Sequence, residues 1–142
     1  MMENVKKMIV PERIFSEVIN VGDYAFYMMG RSRSSDITEN YVLKLPKIQT
    51  IGSRAFYYCY PINEVEIGPD IKTIGVQAFR YNYRCTKITF LGTPTSIGTN
   101  AFGSQNSTIG CTMYVPWSEG AVAGAPWGFN GTIVYDYVPP TE

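Results

Sequence analysis

Histidine is absent from all 142 residues of this chain. Its absence removes the commonest general base, the Ser-His and Cys-His nucleophile pairs, and the commonest zinc ligand. Charge is scarce. Asp, Glu, Lys and Arg make up 17% of the residues, against about 25% in ordinary domains. Twelve basic residues balance twelve acidic ones, so no bulk positive charge is available to hold nucleic acid, and none is expected as a partner. No apolar run reaches the roughly 18 residues that a membrane span needs, so no membrane insertion is expected. The carboxylates are scattered, so no metal site is expected, nor any cofactor. No glycine-rich phosphate loop follows a strand. Glu64 with Glu66, and Asp23 with Asp36, lack a second motif that would make either pair an acid–base dyad. The chain is expected not to be an enzyme. Cysteine occurs three times, at Cys59, Cys85 and Cys111. The count is odd and the spacing fits no metal motif, so all three read as small buried hydrophobes.

What is present is a repeat. Val21-Gly22-Asp23-Tyr24-Ala25-Phe26 returns as Ile51-Gly52-Ser53-Arg54-Ala55-Phe56, as Ile74-Gly75-Val76-Gln77-Ala78-Phe79 and as Ile97-Gly98-Thr99-Asn100-Ala101-Phe102. Ala55, Ala78 and Ala101 lie 23 residues apart, whereas Ala25 precedes Ala55 by 30. The seven extra residues are placed in the polar stretch Gly30–Asp36. Between these six-residue blocks stand apolar-polar-apolar triplets: Leu43-Lys44-Leu45, Val65-Glu66-Ile67, Ile88-Thr89-Phe90 and Cys111-Thr112-Met113. This period of two marks half-buried strands. The Ala-Phe segments are too short for full helices and read as one or two helical turns. The glycine after each Ile is expected either to take a positive φ or to allow close backbone approach.

Such units cannot bury their apolar sides alone, and so they stack. The predicted fold is an α/β solenoid of about four 23-residue rungs, with a parallel strand ladder and short helical turns. A single domain spans residues 1–142. Residues 1–18 form an N-terminal cap, 19–115 the repeats and 116–142 a C-terminal cap. Met8-Ile9-Val10, Ile14 and Phe15 are expected to cover the first rung. At the other end Ser118 is expected to cap a short helical turn, and 132–138 to form a last strand. Trp117 and Trp127 flank that turn. They are read as sealing the open end of the core, or as an oligomer contact through it.

The run Ile51–Cys59, Ile-Gly-x-x-Ala-Phe-x-x-Cys, resembles the BspA-type leucine-rich repeat, also described from treponemal surface proteins. The resemblance covers roughly residues 15–115. The Cys is kept only at Cys59; Met29, Asn82 and Gln105 replace it elsewhere. The stretch 115–135, with Val115-Pro116-Trp117, Ala125-Pro126-Trp127-Gly128 and Thr132-Ile133-Val134-Tyr135, is similar to the ends of leucine-rich-repeat proteins of phages and prophages. The resemblance implies attachment functions and brings no catalytic residues. The implied role is an interaction module for a protein or a cell-surface glycan, in a virion tail or in host attachment. An intracellular inhibitor or adaptor, and a bacterial surface adhesin, are the alternatives. Met1–Pro11 carries two lysines but no apolar stretch of about 7–15 residues. No signal peptide is therefore expected, and the reading places the chain in a virion or the host cytoplasm.

Three surfaces are candidates for a partner. Lys44, Glu66, Thr89 and Thr112 are expected to face outward down the strand ladder, with Glu64 diagonal to Lys87. Tyr57, Tyr58 and Tyr60 follow one Ala-Phe, and Tyr81 and Tyr83 the next, interleaved with Arg80 and Arg84. Equal offsets from Ala55 and Ala78 predict two columns, Tyr58 above Tyr81 and Tyr60 above Tyr83. Tyrosine and arginine combine contact area with hydrogen bonding and are frequent hot-spot residues. The loop Arg31–Asp36 is the third candidate.

Overall fold

A computed structural model describes residues 12–29, 41–103 and 110–140. The expected loop at 31–36 lies outside these residues, as do Met8–Val10 and Gln105. One short helix, α1 (Glu12–Glu17), precedes nine strands. These are β1 (Asn20–Val21), β2 (Tyr41–Leu45), β3 (Thr50–Ile51), β4 (Ile62–Ile67), β5 (Thr73–Ile74), β6 (Lys87–Phe90), β7 (Ser96–Ile97), β8 (Thr112–Tyr114) and β9 (Thr132–Val134). The strands form two ladders. The narrow one runs β1-β3-β5-β7 and the wide one β2-β4-β6-β8-β9. Every pairing is parallel. The chain is a parallel-strand solenoid.

The core lies between the two ladders. Leu43 and Leu45 point inward from β2, while Val42 and Lys44 point out. Val65 and Ile67 repeat the inward pair from β4, and Ile88 and Phe90 from β6. The narrow ladder contributes Val21, Ile51, Ile74 and Ile97. The Ala-Phe segments close the third side. Phe26 stacks on Phe56 at 5.3 Å, Phe56 on Phe79 at 5.2 Å and Phe79 on Phe102 at 5.3 Å, all within 9° of parallel. Phenyl rings so offset avoid the repulsion of a face-on sandwich.

The Ala-Phe segments are hydrogen-bonded turns rather than helical turns. Their amides alternate between two partners. Ala55 N donates to Gly52 O and Tyr57 N to Arg54 O, each closing a local turn. Arg54 N, Phe56 N and Tyr58 N donate instead to Val76 O, Ala78 O and Arg80 O of the next rung. A helix would spend every amide on its own chain. Here half of them stitch the rungs together, which a solenoid needs and a helix forbids.

Of the repeat glycines, Gly52, Gly75 and Gly98 permit close backbone approach, Gly22 has open space beside it, and none takes the positive φ. A Cβ on Gly75 would stand 2.5 Å from Ser53 N, and one on Gly98 2.5 Å from Val76 N. The left-handed conformation falls two residues later, on Tyr24, Arg54, Gln77 and Asn100, with φ of 53–59°. That residue is third in its turn, where a type II turn demands positive φ.

Met29, Cys59 and Asn82 occupy equivalent buried places. Cys59 Sγ donates to Phe26 O of the rung before, at 3.0 Å. Asn82 Oδ1 accepts from Cys59 N, at 2.6 Å. Either side chain can thus tie its rung to the one preceding.

At the N-terminal end Phe15, on α1, packs 5.5 Å from Phe26 and 6.4 Å from Phe56. Lys47 donates to Glu17 at 2.8 Å across the same end. At the other end β9 adds a fifth strand to the wide ladder. It stops at Val134, short of the expected residue 138; Asp136 N and Tyr137 N then donate to Trp117 O and Val115 O. No helical turn follows Ser118, whose hydroxyl bonds the Asp136 carboxylate at 2.6 Å. Trp127 takes the place of a fifth repeat alanine, because Phe102 N donates to Trp127 O. Trp117 lies edge-on to Phe90 at 5.0 Å and to Trp127 at 6.0 Å. Both indoles are buried, so a second copy would find little of either ring uncovered.

Candidate functional site

The strand-ladder candidates do not form one column. Lys44 pairs with Glu66, and Glu66 with Thr89, as expected. Thr89, however, pairs with Tyr114 and not with Thr112. Thr112 pairs with Lys87 and joins the flanking column of Val42, Glu64 and Lys87. The fourth strand is displaced by two residues, because the segment between Phe102 and Thr112 is longer than its counterparts. A shift of two keeps each side chain on its face, whereas a shift of one would invert them all. Thr89 is buried rather than facing solvent. Glu64 stands directly opposite Lys87, not diagonal to it. Lys87 Nζ lies 5.7 Å from the ring of Tyr114, which stands in the neighbouring column beside Thr89.

The tyrosines converge more fully than the offsets predict. Tyr24 meets Tyr27 edge-on at 5.2 Å, and Tyr27 stacks on Tyr57 at 4.9 Å. Tyr57 meets Tyr81 edge-on at 5.3 Å, and Tyr81 stacks on Tyr83 at 5.8 Å. Tyr83 meets Tyr58 edge-on at 5.7 Å, and Tyr58 tilts against Tyr60 at 6.2 Å. Tyr27 thus lies on its equivalent Tyr57, whereas between the next two rungs the contacts run diagonally, Tyr57 to Tyr81 and Tyr58 to Tyr83 in place of the expected Tyr58 over Tyr81 and Tyr60 over Tyr83; together they build one lattice of seven rings across three rungs. Tyr58 and Tyr81 both have positive φ, 54° and 63°. Tyr24, Tyr27 and Arg54 were not among the expected site residues. The signal for Tyr27 was available, since Tyr27 and Tyr57 share the second place after Ala25 and Ala55.

Arginines are set into this lattice. Arg54 donates from Nε to Gln77 Oε1 at 2.6 Å and from a terminal nitrogen to the Tyr24 hydroxyl at 2.8 Å. The Arg80 guanidinium lies 4.5 Å from the Tyr81 ring centre. Its Nε is buried with no hydrogen-bond acceptor. Arg84 follows Tyr83 at the edge, and its carbonyl accepts from Asn63 Nδ2. Burial, together with the neighbouring phenols Tyr81 and Tyr27, raises the pKa of Tyr57, against the opposing pull of Arg80 and Arg54. Tyr83 is raised for the same reasons, burial first and then Tyr58, Tyr81 and Tyr57. Both phenols stay protonated through the neutral range and serve as hydrogen-bond donors.

A family model of the BspA type leucine rich repeat region matches residues 2–113 with six copies of the repeat. The chain belongs to the BspA-type leucine-rich repeat family. No curated protein and no solved structure matches it. Repeats of this kind build protein-interaction modules, and the stacked rungs of this BspA-type protein present rows of side chains as such modules do. Among the described residues no cluster of His, Cys, Asp or Glu could hold a metal ion. No helix among them is long and apolar enough to cross a membrane.

Proposed function

We propose that this BspA-type repeat protein is a non-enzymatic attachment module that grips its partner through the tyrosine–arginine face. The observation that carries the reading is the continuous seven-ring lattice with Arg54 and Arg80 set into it. Rings that brace one another lose little freedom on binding, so their contact area is not offset by ordering costs. The similarity of residues 115–135 to the ends of phage and prophage repeat proteins supports a place in a virion tail or in host attachment. A protein partner fits the family; a cell-surface glycan is the second class to be tested.

A cell-binding assay compares the wild type with a Tyr58→Ala/Tyr81→Ala variant. Binding by the wild type and its loss in the variant support the reading; equal binding overturns the role of the face. Mass spectrometry of purified virions tests the virion role, which fails if the protein is missing from them.

A further inference from the structure

The chain carries no net charge, but its charge is not evenly spread. The charged side chains that act on Tyr57 and Tyr83 are Arg54 and Arg80, with no carboxylate among them. Arg54 is held by neutral partners, an amide oxygen and a phenol. Arg80 rests on a ring and keeps a buried Nε without an acceptor. Elsewhere opposite charges do meet, as Lys47 meets Glu17 and Lys44 stands beside Glu66. The tyrosine face thus carries two guanidiniums, those of Arg54 and Arg80, that form no ion pair within the described residues.

The ring geometry says which anion fits. A nucleobase or the flat side of a sugar needs an open aromatic face. Here one face of each of four rings is already taken: Tyr27 stacks on Tyr57 at 4.9 Å and Tyr81 on Tyr83 at 5.8 Å, too close to admit a third ring between them. The same surface also offers ring edge, phenolic hydroxyl and guanidinium. The aromatic edge is the electropositive part of the ring. All three features favour carboxylates and peptide carbonyls, and arginine takes carboxylates through paired hydrogen bonds.

We propose that the tyrosine–arginine face binds an acidic protein segment, whose Asp and Glu carboxylates are taken by Arg80 and Arg54 and by the hydroxyls of Tyr57 and Tyr83. This rests on the reading of that face as the docking surface, and adds the chemistry of the partner. The mode is that of acidic-motif recognition by arginine clusters.

The test uses three labelled probes on the full chain at low and physiological salt: poly-L-glutamate, heparin and a single-stranded oligothymidine. Fluorescence anisotropy gives their affinities. Poly-L-glutamate is expected to bind tightest and to weaken as salt rises. Arg80→Gln is expected to weaken it at least about tenfold, as befits a lost charge-assisted hydrogen bond. Arg80→Lys keeps the charge and should recover part of that loss. Lys72→Gln, an exposed cation beside the narrow ladder, is expected to change nothing. Circular dichroism confirms that each variant folds. Tighter binding of heparin or oligothymidine overturns the proposal in favour of a polyanionic glycan or nucleic acid. Absence of poly-L-glutamate binding, or indifference to Arg80→Gln, overturns it outright. If the Tyr58→Ala/Tyr81→Ala variant still loses cell binding while poly-L-glutamate is ignored, the docking face stands and only its acidic partner falls.

Discussion

The ring of Phe79 lies 5.3 Å from that of Phe102 and 3° from parallel to it, although 23 residues of chain separate them. The repeat phenylalanines of successive units therefore sit one above another, and the core is built in layers around them. A layer removed from the middle leaves a gap that neither neighbour can fill without abandoning its own partner.

Phe79→Ala accordingly deletes a buried ring between two stacked rings. The expected loss of unfolding free energy is about 3–5 kcal/mol. Urea denaturation followed by circular dichroism measures it. A loss below about 1 kcal/mol would mean that the phenyl stack is not the central element of the core.

Gly75→Ala places a methyl group 2.5 Å from the backbone nitrogen of Ser53. The rungs cannot separate there without stretching Gly75 N to Ile51 O, a bond of 2.8 Å. Overpacking of this kind costs about 1–3 kcal/mol. The same denaturation experiment reads it, and Val76→Ala, at a half-exposed neighbouring site, is the control expected to be nearly neutral.

Trp117→Ala opens the C-terminal end of the core at Phe90. Two consequences are expected. Stability falls by about 3–5 kcal/mol, and the uncovered layer promotes self-association. Sedimentation velocity should show concentration-dependent larger species in the variant that the wild type lacks.

Alkaline pH should loosen the tyrosine lattice. Tyr57 and Tyr83 hold their protons more tightly folded than unfolded, since both are raised above the ordinary value of 10.0. Their contribution to stability is complete below about pH 10 and is lost as pH climbs through their raised folded values. The denaturation midpoint is expected to fall above pH 10, and less so in a Tyr57→Phe/Tyr83→Phe variant. Tyrosinate absorbance should show a late-titrating fraction that the double variant lacks.

The thiols should be inert while the chain is folded. Burial pushes the Cys59 thiol far above its ordinary value. Cys85 is raised first by its hydrogen bond with Cys111 and then by burial. Thiolate is the reactive form, so a thiol-reactive dye should label neither Cys59 nor Cys85 rapidly until denaturant is added, and Cys111 is kept from the dye by its burial. Prompt labelling of Cys59 would contradict its place inside the stack.

Much of the architecture was legible because repeated sequence implies repeated surroundings. The phase of Ala55, Ala78 and Ala101 predicts that Phe56, Phe79 and Phe102 share a column, and they do. The tryptophan pair at the end was likewise visible as large apolar bulk beyond the last repeat. The turns were less legible. An Ala-Phe segment has helical composition, and only the neighbouring rung, which takes alternate amides, explains why no helix forms. The register of β8 was hidden for a different reason. Cys111-Thr112-Met113 and Met113-Tyr114-Val115 alternate equally well, and pairing with β6 alone chooses between them.

By itself, then, the order of residues determined the unit, its period and which side chains face the interior, because these follow from local alternation and from burying what repeats. The tertiary structure decided the diagonal meeting of the tyrosines, the resting place of Arg80 and the displacement of Thr112. Each of these depends on how one rung settles against the next. That is a matter of backbone direction and hydrogen-bond pairing between segments 20 or more residues apart, which no stretch of sequence carries alone.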